Sequence, residues 1–212
     1  MGSRFSSLAV AAILAAPLLA ATPAAAQVKP DAPAAPDWAK PRGDAQRPER
    51  GERTYNLDTL FEALKIAPDD ASAKAIEDRI WALWMVSGSD TCNLLMGRAK
   101  AAADGKDYGL AVKLLDAVIE LRPDYAEGWN RRATVYYLQN DYQRSLEDIE
   151  QVLVREPRHF GALAGLGMIM QDLGDDKRAL DAFRKALAVN PYLDKLPEMV
   201  KTLTEKVEGR DI

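Results

Sequence analysis

Residues that commonly carry catalysis are sparse in this chain. Its 212 residues include one histidine, His159, and one cysteine, Cys92. Neither has a partner at the spacing that a zinc site requires. The sequence also lacks the glycine-rich nucleotide loop, the nucleophile elbow and the phosphate-binding loop. These absences predict a protein that is not an enzyme and that uses no cofactor and no metal.

Three glycines lie close together, at Gly161, Gly165 and Gly167. They fall inside a helical apolar pattern and follow no strand, so a phosphate loop is not indicated. Glycine in a helix interior costs about 0.5–1 kcal/mol relative to alanine, so the cluster needs a structural reason. Gly161 and Gly165 are one turn apart and would permit close approach of a backbone. Either a helix of the same protein or a partner peptide would then lie there.

Basic side chains cluster in the middle of the chain: Arg131, Arg132, Arg155, Arg158 and His159. Such a cluster can recognise a carboxylate or an acidic segment. The alternative is that these charges are solvated and paired with acidic neighbours such as Glu127, Glu150 and Glu156.

The two ends of the chain differ in composition from its middle. Residues 1–26 carry a positive start at Arg4, an apolar run over residues 8–21 and a small-residue cleavage site at residues 24–26. This is the pattern of a secretory signal peptide, and the apolar run is short for a membrane span. Residues 27–53 contain five prolines and few apolar residues apart from Trp38, which predicts a disordered linker.

Charge and cysteine content narrow the class of partner. Removing Arg4 with the signal peptide leaves 27 lysines and arginines against 32 acidic residues, a net charge of −5. An acidic chain argues against nucleic acid and against stable association with anionic membranes. A single cysteine forms no internal disulfide, so packing must supply the stability. We interpret Cys92 as a small half-buried residue, with a reactive thiol as the alternative.

Prolines recur at a fixed interval, with Pro123, Pro157 and Pro191 spaced by 34 residues. Small and bulky residues keep phase with them. The middle copy, residues 126–159, carries Trp129, Ala133, Tyr136, Ser145, Ile149 and Val152. The third copy, residues 160–193, carries Leu163, Leu166, Gly167, Met170, Ala179, Phe183 and Ala186. The first copy, residues 92–125, carries Leu95, Ala99, Ala102, Ala111, Leu115 and Val118.

This pattern resembles the tetratricopeptide repeat, in which each copy forms two antiparallel helices. The resemblance implies an all-α, right-handed α-solenoid of three repeats over residues 92–193. It also implies that Trp129 is a core aromatic residue and that Gly167 lies where two helices cross. Polar turns containing Asp107, Asp141 and Asp175 are expected to cap the second helix of each copy.

Helical segments flank the repeats on both sides. Residues 54–91 hold two amphipathic stretches separated by Pro68, the second with a stripe of Ile76, Ile80, Trp81 and Trp84. This pair does not keep the 34-residue phase, so we predict either a degenerate repeat or an N-terminal cap. Residues 194–212 place Leu196, Met199, Val200, Leu203 and Val207 on one face. That pattern predicts a C-terminal capping helix that covers the last repeat.

The resemblance also implies a groove lined by the first helix of each repeat. Glu127 occupies one groove position, and the residues expected to bind a partner are Lys100, Asn130, Arg131, Thr134, Tyr137, Gly161, Gly165 and Met168. Some family members hold a C-terminal carboxylate with basic groove residues. In this chain Gly161 and Gly165 stand where the later basic residues would be, which argues against such a clamp.

We therefore predict a non-enzymatic adaptor that binds another protein or peptide in the groove. The leader predicts export, to the periplasm of a Gram-negative bacterium or into the medium. Two alternatives stay open: a self-associating structural protein, and an accessory subunit of an envelope enzyme or transporter complex.

Overall fold

The computed structural model describes residues 50–209, with side chains from residue 56 onward. The predicted signal peptide and the linker up to residue 49 lie outside this range. Helix α1 begins at Arg50, so the last residues of the stretch predicted as linker are helical.

Nine helices and no strand occur among the described residues. They are α1 (Arg50–Lys65), α2 (Asp70–Trp84), α3 (Asp90–Asp104), α4 (Tyr108–Leu121), α5 (Ala126–Leu138), α6 (Tyr142–Arg155), α7 (Phe160–Asp172), α8 (Asp176–Val189) and α9 (Leu196–Val207). Helices α3 to α8 form three consecutive antiparallel pairs, and each pair packs on the next through α4 against α5 and α6 against α7. This is an all-α solenoid of helix pairs, which confirms the predicted fold class.

Small residues set the distance between the two helices of a pair. Ser145 on α6 is buried, and its hydroxyl donates to the carbonyl of Ala133 on α5 at 2.8 Å. In the next pair, a Cβ atom added to Gly167 would lie 2.3 Å from the ring of Phe183 on α8. Because Phe183 is fully buried, its ring has no space into which it can retreat. Gly167 therefore permits the close crossing of α7 and α8.

The predicted caps are confirmed at the start of each second helix. The carboxylates of Asp107, Asp141 and Asp175 accept from the backbone N–H three residues later, at 3.0, 3.2 and 2.9 Å. These bonds satisfy donors that a helix N-terminus otherwise leaves free.

Replacing Asp175 with alanine should lower the melting temperature at pH 7, and Asp175→Asn should lower it less, because an amide oxygen still accepts from Arg178. The backbone N–H and the guanidinium of Arg178 hold the pKa of Asp175 below its ordinary value of 3.8. The charged cap therefore stabilises the fold above that value, and its contribution is lost as the pH falls through the lower folded pKa. The difference between wild type and Asp175→Asn should shrink in acid when melts are followed by circular dichroism. Wild-type melting of Asp175→Ala at pH 7 would contradict the cap.

Helix α9 covers the last repeat. Leu196 and Leu203 are buried in the core cluster of α7 and α8, and Met199, Val200 and Val207 pack against that cluster. Pro197 lies in the first turn of α9, where a missing N–H costs little. Arg184 on α8 donates to both carboxylate oxygens of Glu208, beyond the end of α9.

The N-terminal pair, α1 and α2, does not stack on α3 as one repeat stacks on the next. Its contacts instead follow the turns at the ends of the three repeats, residues 122–125, 156–159 and 190–195. On α2, Glu77 accepts a hydrogen bond from Asn190 at 2.8 Å, and the ring of Trp84 stacks on that of His159 with centroids 4.1 Å apart. Just after α2, the carbonyl of Met85 accepts from the hydroxyl of Tyr125 at 3.0 Å. The sequence predicts a degenerate repeat or a cap for this pair. The contacts place it along the row of turns, where it connects all three repeats.

Candidate functional site

The first helices of the second and third repeats, α5 and α7, border an open cavity of about 310 Å³, which we call the α5–α7 cavity. Aliphatic and small side chains dominate its walls. The lining residues are Asn130, Ala133, Thr134, Tyr137, Leu138, Ser145, Ile149, Gly161, Ala162, Ala164, Gly165, Met168 and Ile169. Six of the eight residues predicted for the site are among them: Asn130, Thr134, Tyr137, Gly161, Gly165 and Met168.

The two glycines of this cavity have different surroundings. A Cβ atom at Gly161 would lie 2.9 Å from Cη2 of Trp81, so a side chain of α2 already covers this position. A Cβ atom at Gly165 would meet only Cδ1 of Ile149, at an ordinary contact distance of 3.7 Å. An internal helix therefore accounts for Gly161, whereas Gly165 faces open space.

The other two predicted residues do not line the cavity. Lys100 on α3 forms an ion pair with Asp104 one turn later on the same exposed face. Nε of Arg131 lies 2.6 Å from Oε1 of Glu127, and the Arg131 side chain is 42% exposed. Both cations are therefore already neutralised by a carboxylate.

Glu127, which the sequence places on the groove surface, is instead fully buried. Its Oε2 accepts from Nδ2 of Asn130 at 3.0 Å and lies 3.2 Å from Nε2 of His159. Nδ1 of His159 accepts from the N–H of Ala162 at 3.1 Å, so Nε2 carries the proton and donates to Glu127. Three nitrogen-bearing side chains thus surround a carboxylate that would be costly to bury alone.

The remaining arginines of the basic cluster are also satisfied within the chain. Arg132 donates to both oxygens of buried Asp148, at 2.8 and 2.7 Å. Arg155 donates to the carbonyl of Pro123 at 2.7 Å, and Arg158 pairs with Asp58 at 2.6 Å. Of the two interpretations of this cluster, the structure supports internal pairing.

A carboxylate that the sequence reasoning missed lies at the rim of the cavity. Oδ2 of Asp172, the last residue of α7, accepts from the hydroxyls of Tyr137 at 2.9 Å and Tyr142 at 3.2 Å. No lysine or arginine among residues 56–209 forms an ion pair with this exposed Asp172. The hydrogen bond to Asp172 raises the pKa of the Tyr137 phenol above its ordinary value. The two tyrosines that flank the turn between α5 and α6 were the available signal in the sequence.

Within the described part of the chain, no group of three or more His, Cys, Asp or Glu residues is placed to hold a metal ion. None of the helices there is both long and apolar enough to cross a membrane. Cys92 is fully buried in the core formed by α3 and α4.

Solved structures with the same fold include several repeat domains. The Sgt2 TPR domain from Aspergillus fumigatus superposes with a TM-score of 0.53 and 24% identity, over 57% of this chain and 81% of that one. MamA gives 0.52 at 15% identity, over 76% of this chain and 86% of that one. The first TPR of Spaghetti, solved with an HSP90 peptide, gives 0.53 at 12% identity over 57% of this chain and 95% of that one. These likenesses show the fold.

Sequence comparison identifies the family to which the chain belongs. The family model described as tetratricopeptide repeat matches residues 96–148 and 131–194. A TPR repeat-containing protein of Rhizobium etli is 42% identical over 164 residues, 77% of this chain and 80% of that protein. The heat-shock protein cognate co-chaperone sgt12 of Aspergillus fumigatus is 25% identical over 74% of this chain, which spans 48% of the co-chaperone. With its three in-phase helix pairs, this chain belongs to the tetratricopeptide repeat family.

Proposed function

We propose that this chain is a non-enzymatic adaptor that binds a peptide segment of a partner protein in the α5–α7 cavity. The observation that carries this proposal is the open space over Gly165. A partner side chain can approach the backbone of α7 there, because only Cδ1 of Ile149 lies within 4 Å of the missing Cβ position. Apolar walls with a few polar groups at the edge are typical of a binding cavity.

The comparisons support the general role and leave the partner open. A co-chaperone is among the relatives, and one structure of the same fold holds an HSP90 peptide. Tetratricopeptide repeats are interaction modules whose stacked first helices form an extended binding surface. The same role for this chain is consistent with a cavity that lies between α5 and α7, the first helices of two repeats.

The adaptor is proposed to act in the bacterial cell envelope, in the periplasm of a Gram-negative species. Support comes from the charged start, apolar run and small-residue site of residues 1–26. The partner would then be another exported protein or an envelope protein with a periplasmic segment.

Gly165→Leu should remove capture of the partner while leaving the melting temperature within a few degrees of wild type, because the new side chain would occupy the cavity rather than the core. Gly97→Leu is the matched control: it changes another helical glycine, on α3, with nothing within 4 Å of its Cβ position. Crosslinking in intact cells followed by mass spectrometry measures capture, and thermal melts of both variants measure folding.

The outcome of this experiment separates the proposals. A partner lost with Gly165→Leu and retained with Gly97→Leu supports binding in the cavity. Equal retention by both variants would exclude the cavity as the binding site. A cytoplasmic partner would contradict the envelope placement, and a second copy of this chain as the partner would favour a self-associating protein.

A further inference from the structure

Asp172, at the rim of the α5–α7 cavity, forms no ion pair with a lysine or arginine of residues 56–209. Asp172 accepts two hydrogen bonds from tyrosine hydroxyls, and these donors carry no charge. Tyr137 belongs to both features, since its side chain lines the cavity and its hydroxyl bonds to Asp172 at 2.9 Å. The carboxylate therefore lies within one side chain's length of the apolar walls.

Two aromatic faces accompany this carboxylate. The rings of Tyr137 and Tyr142 have centroids 5.8 Å apart and planes inclined by 38°. A cation within about 6 Å of a ring centroid is attracted by the negative face of the ring. A charge-assisted hydrogen bond to a carboxylate adds to that attraction. Two phenol rings beside one unpaired carboxylate thus form a place suited to an ammonium or a guanidinium group.

The residues near the cavity do not favour an acidic ligand. An acidic ligand would need free basic groups, but Arg131 pairs with Glu127 and Lys100 pairs with Asp104. Glycines occupy the two α7 positions where a basic residue would project toward the ligand, and one of them lies under Trp81. The chain also carries more acidic than basic residues, and this net negative charge favours a cationic ligand over an acidic one at longer range.

We propose that the α5–α7 cavity selects a peptide segment in which an aliphatic residue lies close in sequence to a lysine or an arginine. The aliphatic side chain occupies the apolar space over Gly165. The cationic group lies against the rings of Tyr137 and Tyr142 and donates to Asp172. This inference rests on the binding role proposed above and adds the chemistry of the ligand.

Fluorescence anisotropy with pools of short, end-blocked peptides on a glycine–serine background tests the proposal. The pools carry leucine with lysine, leucine with glutamate, leucine alone or lysine alone, with the separation varied. The full chain should bind the leucine–lysine pool roughly tenfold more tightly than the leucine–glutamate pool, as expected for a hydrogen bond between charged groups. Added salt should reduce this preference, because the rim is exposed.

Two variants assign the effect to the two parts of the site. Asp172→Asn keeps an oxygen that accepts from the tyrosine hydroxyls but removes the charge, so it should abolish the preference for lysine over glutamate. Gly165→Leu should abolish binding of every leucine-containing pool. Tighter binding of the leucine–glutamate pool, or a lysine preference that survives in Asp172→Asn, would overturn the proposal.

The same variants keep this proposal distinct from the general binding role. If the cellular partner is lost with Gly165→Leu and no pool binds, the cavity still binds a protein and the proposed ligand chemistry is wrong. If the partner is retained by Gly165→Leu and no pool binds, the binding role of the cavity fails as well.

Discussion

Gly167→Ala should destabilise the protein by about 3 kcal/mol, although it adds a single methyl group. Overpacking a core costs about 1–3 kcal/mol. We expect a cost at the upper end of this range because the neighbouring ring, Phe183, is fully buried and cannot move away. The added Cβ would lie 2.3 Å from two carbons of Phe183, whose side chain is fully buried. Helices α7 and α8 would have to separate to admit it.

Gly165→Ala is the matched control, two residues before Gly167 on the same helix. Its Cβ would make one ordinary contact, at 3.7 Å from Ile149, so the helix should gain about 0.5–1 kcal/mol from the better intrinsic propensity of alanine. Urea denaturation followed by circular dichroism gives both free energies of unfolding, and equal slopes would show that the same surface is exposed. Equal stability of the two variants would mean that the close crossing at Gly167 is not required.

The sequence predicted the elements that depend on local spacing. Proline at a 34-residue interval, aspartate at the start of each second helix and small residues at the crossings are local or periodic signals. The structure contains three helix pairs, and Asp107, Asp141 and Asp175 cap as expected. Helix α9 also has a local signal, because its apolar residues recur at helical spacing and pack against the core of α7 and α8.

The position of the N-terminal pair was not predictable in this way. Trp81 and Trp84 lie on the expected apolar stripe, but periodicity identifies a buried face and not the surface that it contacts. Their contacts, His159 and Phe160, are about 75 residues later in the chain. For the same reason the sequence does not distinguish an internal helix from a partner peptide at Gly161 and Gly165, whereas the structure places Trp81 over Gly161.

Charged and aromatic positions in the second repeat also departed from expectation. Trp129, expected in the core, is half-buried, with the guanidinium groups of Arg132 and Arg155 5.0 and 4.9 Å from its ring. Glu127, expected at the surface, is buried because donors from α5 and from the turn before α7 converge on it. Such networks join distant segments, and a single sequence gives no signal of their geometry.

Trp84→Ala should destabilise the protein by about 3–5 kcal/mol, the usual cost of truncating a buried aromatic residue. The ring of Trp84 stacks on His159 at 4.1 Å and packs against Phe160 at 5.0 Å and Trp81 at 5.2 Å. Trp84→Phe should cost less, because it keeps a stacking ring and removes the indole N–H, which has no hydrogen-bond partner among the described residues. Ile66→Ala, at an 81% exposed position between α1 and α2, should change the stability by less than about 0.5 kcal/mol.

Limited proteolysis shows which part of the fold loses protection in Trp84→Ala. The N-terminal pair contacts the turn at the end of each of the three repeats, so we expect one cooperative transition at a lower melting temperature and faster cleavage within α1 and α2. Without the ring of Trp84 stacked on it, His159 should be held less firmly in its hydrogen bond to Glu127. That hydrogen bond connects α5 to the turn before α7. Unchanged stability, or two separate transitions with the repeats melting as in the wild type, would show that the pair is an independent attachment rather than an integral part of the solenoid.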